Sequence, residues 1–180
     1  DYHPFATKYY NGKLYIGVTC DASTSLNKND LKSVVYRFNP ATPGAGFTNI
    51  LTIPLNYTKG AANSLCTSQP GTQWFPWVDT AKLPNYTVSC PAGSNKLLPQ
   101  PLLSDLEFDV DGSLILGFLD RFAEQNASGI DTPTKTGTTG EVMAGGDTLR
   151  AWNNSGTFVL ENNGTAGPVS GGVGTNQGPG

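Results

Sequence analysis

Apolar and polar positions alternate in short runs along this chain, and the runs are punctuated by turn residues. Tyr10-Asn11-Gly12-Lys13-Leu14-Tyr15-Ile16-Gly17-Val18 and Val110-Asp111-Gly112-Ser113-Leu114-Ile115-Leu116-Gly117-Phe118 repeat one design at a spacing of 100 residues. Each reads as a strand, a tight Asn-Gly or Asp-Gly turn, and an alternating apolar strand with glycine near its end. Such dipeptides suit two-residue hairpins because both central positions need positive φ. Downstream, Ser33–Asn39 parallels Asp147–Asn153, and Gly46–Leu51 parallels Gly156–Glu161. No window keeps a 3.6-residue period beyond two turns, so helix should be scarce. The pattern predicts an all-β chain with two antiparallel four-stranded blades of a β-propeller, incomplete in this chain.

Residues 1–56 form the first blade-like repeat and 57–101 a Pro/Ser/Trp-rich insertion. Residues 102–162 form the second repeat, with a Gly/Thr-rich loop at 126–146, and 163–180 read as a Gly-rich loop or linker to a following unit. Gly171-Gly172-Val173-Gly174 belongs to that linker, since no helix pattern follows to make a phosphate cradle. The chain opens on Asp1, has Met143 as its single methionine and closes on Gly178-Pro179-Gly180. It therefore reads as an excised piece of a longer polypeptide. Two blades are too few to close a propeller of four to eight. Strand edges would then be left for other domains of the same long chain or for neighbouring subunits.

Composition narrows the function classes. Charged residues are only 14% of the chain, and 11 Lys+Arg against 14 Asp+Glu give a net charge of −3 without a basic run, which argues against nucleic acid. No apolar stretch approaches the ~18 residues of a membrane span. Cys20, Cys66 and Cys90 show no C-x-x-C spacing, and His3 is the single histidine, so a zinc site is not expected. A Cys66–Cys90 bridge would staple the insertion by ~3 kcal/mol in the chain-entropy view. Cys20 could instead take either partner, or all three could be buried thiols. Asn-x-Ser/Thr triplets start at Asn56, Asn85, Asn126, Asn153 and Asn163, all in expected turns or loops. Low charge, a disulfide and these triplets together point to an extracellular, secreted or cell-surface address.

The run Leu102–Arg121, with its Asp-Leu-Glu-Phe-Asp-Val-Asp-Gly centre, resembles a segment of very large secreted or surface-anchored bacterial proteins. In those proteins propeller-like regions join SdrD B-like or other adhesin-type repeats. Asn11-Gly12-Lys13-Leu14-Tyr15-Ile16-Gly17 is similar to the opening of their blades. The resemblance implies an architecture and supplies no catalytic residues.

Asp105, Glu107, Asp109, Asp111 and Asp120 form the densest acidic group. Alternation along a strand would place Asp105, Glu107, Asp109 and Asp111 on one face, where carboxylates repel unless a cation or base sits among them. One reading is a Ca²⁺ site using Asp109, Asp111 and Asp105; the plainer one is a solvated strand face. A third takes two carboxylates between Asp105 and Asp120 as a glycosidase pair, with Arg121 completing the pocket. Trp74, Phe75, Pro76 and Trp77 would offer a ring-stacking platform for sugars, or a local mini-core. With His3 beside Pro4 and no H-E-x-x-H, G-x-S-x-G or P-loop, no other catalytic constellation stands out. No catalytic residues and no cofactor beyond Ca²⁺ are expected. The sequence is read as a non-catalytic structural or adhesive module of a large extracellular bacterial assembly. The alternatives are a propeller that binds surface glycans and a secreted glycoside hydrolase.

Overall fold

The computed structural model describes residues 1–61, 71–78, 88–89, 96–126, 142 and 144–170. Strands β1 (Tyr2–Tyr10), β2 (Lys13–Cys20), β3 (Lys32–Phe38) and β4 (Phe47–Pro54) form one antiparallel sheet in the order β1-β2-β3-β4. Two-residue strands β5 (Val88–Ser89) and β6 (Lys96–Leu97) pair with each other. A second four-stranded sheet follows from β7 (Pro101–Phe108), β8 (Leu114–Asp120), β9 (Asp147–Asn154) and β10 (Thr157–Leu160), again paired in chain order. One short helix, α1 (Arg121–Gln125), leaves the end of β8. Strands β11 (Thr165–Ala166) and β12 (Val169–Ser170) close the described chain.

The all-β expectation and the two four-stranded sheets hold. Among the described residues the sheets do not close into a barrel or a ring, so propeller blades are not seen as such. The repeat is deeper than the sequence alignment implied. Pro4 pairs with Val18 and Ala6 with Gly17, with a bulge between; Leu103 pairs with Phe118 and Asp105 with Gly117, with a bulge at the same place. Strands β2 and β8 keep the expected spacing of 100, but β1 and β7 are offset by 99. The reason is the turn. Asn11 and Gly12 form a two-residue hairpin with φ of 46° and 73°. In the second copy Asp109 N–H donates to Ser113 O and Gly112 N–H to Asp109 O. That makes a three-residue loop in which Gly112, at φ 76°, takes the left-handed position. Register also moves β3 and β9, since Gly17 faces Val35 and Gly117 faces Thr148.

These registers decide which faces meet. Each sheet has a glycine face (Ala6, Tyr15, Gly17, Thr19 and Val35 in the first; Asp105, Ile115, Gly117, Leu119 and Thr148 in the second). Each also has an opposite, leucine face (Leu14, Ile16, Val18 and Tyr36 in the first; Leu114, Leu116, Phe118 and Leu149 in the second). The core forms where the glycine face of the first sheet lies on the leucine face of the second, burying Ala6, Tyr15, Val35, Leu51, Leu103, Leu106, Leu114, Leu116 and Leu149 in one cluster. Gly17 permits the close approach, because a Cβ there would stand 2.6 Å from Leu103 Cδ2. Thr19 Oγ1, buried beside Ser33, accepts the Leu103 N–H at 3.0 Å. Tyr10 stacks on Phe108 with ring centroids 4.0 Å apart.

The linker reading of 163–180 is corrected in its first part. Asn163 and Gly164 turn the chain with positive φ, and residues 165–170 form the β11–β12 hairpin. Its Gly167, at φ 61°, lies on the indole of Trp152, where a Cβ would meet Cδ2 at 2.2 Å. Residues 171–180, including Gly171–Gly174, lie outside the described residues. So do most of the loop expected at 126–146 and much of the insertion.

Candidate functional site

The acidic group separates into structural roles. Strand β7 ends at Phe108, so Asp109 and Asp111 sit in the turn and do not continue the strand face. Arg150, on β9, lies across that turn: Nη1 donates to Asp109 Oδ2 at 2.6 Å and Nη2 to Asp111 Oδ2 at 2.8 Å. The hydrogen bond from Arg150, then that from the Val110 N–H, holds Asp109 below the usual carboxylate range. For Asp111 the Ser113 N–H is the first cause, with Arg150 adding to it. Glu107 pairs with Lys8, and Asp105 accepts from the next residue's N–H at the bulge. The calcium set Asp109, Asp111 and Asp105 is thus divided, with a guanidinium where the cation was expected. Among the described residues no three His, Cys, Asp or Glu side chains stand close enough to hold a metal ion.

Asp120 is buried and caps α1, its Oδ1 accepting from Gln100, Phe122 and Ala123 N–H and its Oδ2 from Gly145 N–H. Burial pushes its carboxyl up, against those hydrogen bonds. It ends β8, whereas the turn carboxylates precede the start of that strand, so Asp120 and the turn carboxylates lie at opposite ends of β8. Arg121 does not open a pocket, since it donates to Gln100 and lies 4.4 Å from the Trp77 ring centroid. Trp77 is sandwiched: His3 stacks on it at 4.2 Å and its indole N–H donates to Pro101 O. Trp74 is fully buried in the main core. The ring-stacking platform for sugars is therefore corrected, because both indoles are covered by protein. At the same end of the molecule Asp21 accepts from the Asp1 amino group, His3 and Ser23. Burial alone would raise its pKa, but these hydrogen bonds outweigh that and hold it at about 2.

A second polar group was missed by sequence reasoning. Tyr57, just after β4, donates its hydroxyl to Asp147 Oδ2 at 2.6 Å and accepts the Trp74 indole N–H at 3.2 Å. Lys59, 1% exposed, lies 4.7 Å from the Trp74 ring centroid. Burial lowers the Lys59 pKa, and the Asp147 and Asp120 charges oppose that. Burial raises Tyr57, with Asp147 adding to it, and burial also raises Asp147. Ninety residues separate Tyr57 from Asp147, and no motif announces the pair. The bond ties the exit of the first sheet to the start of β9.

Cys20 is a free, half-buried thiol. Cys66, Cys90 and Asn85 lie outside the described residues. Asn56 and Asn163 are exposed, whereas Asn153 is half-buried. Asn126 is buried, and its amide donates to Phe122 O at 2.8 Å, a position with no room for a glycan unless α1 shifts.

The chain is 28% identical over 182 residues to Colossin-A of Dictyostelium discoideum, covering 99% of this chain and 1% of that protein. It is 27% identical over 131 residues to Colossin-C of the same organism, covering 71% of this chain and 11% of the relative. The chain thus spans a small fraction of either relative. No family model matches it, and no solved structure does. These relatives are eukaryotic, which overturns the resemblance to bacterial SdrD B-like or adhesin-type repeats, and the bacterial source with it. Asp-Gly turns between alternating strands are common to antiparallel meanders in general, and that shared design carried the likeness.

Proposed function

We propose that this chain is a non-catalytic structural module of a large extracellular protein, built from stacked propeller-type sheets. The observation that carries the reading is the fate of its chemical groups. The turn carboxylates are held by Arg150, Asp120 caps a helix, and Asp147 is bonded to Tyr57. A catalytic pair needs groups free to touch a substrate, and each of these is committed to the fold. Similarity along nearly the whole chain to one small part of Colossin-A favours a module within a very long polypeptide. The matching registers and bulges of the two sheets support the finer reading as successive blades. Low charge and exposed Asn56 and Asn163 support the extracellular address.

The test is a panel of chromogenic glycosides and a glycan array, each run on the 180-residue chain with and without added Ca²⁺. The expected result is neither turnover nor glycan capture, and no rise in melting temperature with Ca²⁺. Hydrolysis lost in Asp109→Asn or Asp120→Asn would overturn the reading.

A further inference from the structure

We propose that the leucine face of the first sheet is a docking face for the glycine face of the second sheet of another copy of this chain, so that copies join head to tail. This rests on the stacked-sheet reading above and names the partner. The internal junction joins unlike faces, so the two outward faces of a copy are again one of each kind. On one side Ile16, Val18, Tyr36 and Phe47 line an apolar hollow of about 260 Å³ on the outer side of the first sheet. Phe47 is 57% exposed and Tyr9 66%. Pairing makes Leu14, Ile16 and Val18 the counterparts of Leu114, Leu116 and Phe118, which are buried in the internal junction. An apolar face equivalent to a buried one is an unfilled junction and not ordinary surface scatter.

On the other side, a trough of about 430 Å³ opens over Gly117 between Ser104, Leu119, Asp147 and Thr148. Gly117 is the counterpart of Gly17, the socket that receives Leu103. In a second copy the residue in the position of Leu103 is Pro4, whose exposed ring is small enough to enter the trough. One charge pair fits as well, while Asp105, the counterpart of Ala6, brings a carboxylate to the docking face. Lys8 and Glu107 hold equivalent positions opposite Tyr15 and Ile115, and they pair across the internal junction. At a junction between copies Glu107 would meet Lys8 of the next copy, so the alternation of charge continues. The β11–β12 hairpin covers Trp152 on the same face, four residues along β9 from Thr148. A junction of unlike faces is heterologous, and it forms a ring where the rotation closes and a filament where it does not.

Light scattering after size exclusion tests this on the chain over rising concentration. The expected mass exceeds one copy and grows with concentration toward a ring or filament. Ile16→Lys on one face, and Leu119→Arg on the other, should each leave a monomer with an unchanged circular dichroism spectrum. Phe47→Glu, at an exposed position, replaces Ile16→Lys if that variant unfolds. Mixed one to one, the two blocked variants retain one intact face each and should form a dimer that stops there. A wild-type chain monomeric at every concentration would overturn the proposal. So would association that survives Leu119→Arg, or a mixture that stays monomeric. None of these outcomes bears on the glycoside and glycan assays, so the two readings fail separately.

Discussion

The two sheets share their pairing scheme, their bulge and their central glycine, yet they spend their second faces differently. In the first sheet Gly17 is covered by Leu103, and the opposite face carries Ile16, Val18, Tyr36 and Phe47. In the second the leucine face is buried, and the glycine face carries Asp105, Glu107 and Arg150 at its rim. Connections differ too: residues 21–31 join β2 to β3, while 121–146 join β8 to β9 and include α1. A meander's backbone scheme fixes which residues share a face. Side-chain choice then decides which of those faces is covered within one copy.

The largest effects are expected where the filled socket and its open counterpart are altered in parallel. Leu103→Ala removes a fully buried side chain from the junction and should cost about 2–5 kcal/mol in denaturant unfolding. Gly17→Ala forces a Cβ into Leu103 and should cost about 1–3 kcal/mol. Gly117→Ala, whose nearest neighbour is Asp105 Cβ at 3.3 Å, should cost clearly less than Gly17→Ala. Equal losses at the two glycines would mean that the socket does not distinguish the sheets.

Next in size is the tie between them. Tyr57→Phe leaves Asp147 and the Trp74 indole without their shared hydroxyl and should lower stability by about 1–3 kcal/mol, read as a shift in urea midpoint at unchanged slope. A shift of the same size in a Trp74→Phe background would show that the Tyr57–Asp147 bond acts alone.

Acid should weaken the β1 end of the first sheet in particular. Asp21 is held at about 2 against an ordinary 3.8, so its stabilisation is complete above the ordinary value and is lost as pH falls through about 2. Asp120 and Asp147 are raised, so their contribution has the opposite sign and is lost as pH rises through their elevated values. Asp21→Asn should flatten the fall in melting temperature between about pH 4 and 2. An unchanged slope would assign that loss to other carboxylates.

The smallest effect belongs to the second sheet's turn. Arg150→Ala frees Asp109 and Asp111, both solvent-exposed, and should lower the melting temperature slightly at low salt and hardly at all at high salt. A large, salt-independent loss would mean that burial of the Arg150 stem matters more than its charge.

Strand type and the central hairpins were readable because Lys13–Val18 and Leu114–Phe118 carry their own alternation and glycine. Alignment of the flanking strands slipped by one residue, because Asp109–Gly112 turns through three residues where Asn11-Gly12 uses two. The acidic group fails as a continuous ridge for a separate reason: β7 ends at Phe108, so alternation holds for Asp105 and Glu107 but stops before Asp109 and Asp111. The β11–β12 hairpin had its signal in Asn163-Gly164, which glycine-rich surroundings obscured. Trp74 and Trp77 were recognised as a cluster, but burial follows from what the rest of the chain lays over them. The Tyr57–Asp147 bond joins positions whose local sequence says nothing of each other.

The three tryptophans give this molecule a set of built-in optical probes. Trp74 lies in the core between the sheets, Trp77 is wedged between His3 and Arg121, and Trp152 lies beneath Gly167 of the terminal hairpin. Each indole emits from a different layer, and removing two at a time would isolate the third. Detachment of the hairpin would be seen as a red shift from Trp152 while Trp74 stayed dark to solvent. The order in which the layers come apart can therefore be followed by the colour of the emitted light, without adding any label.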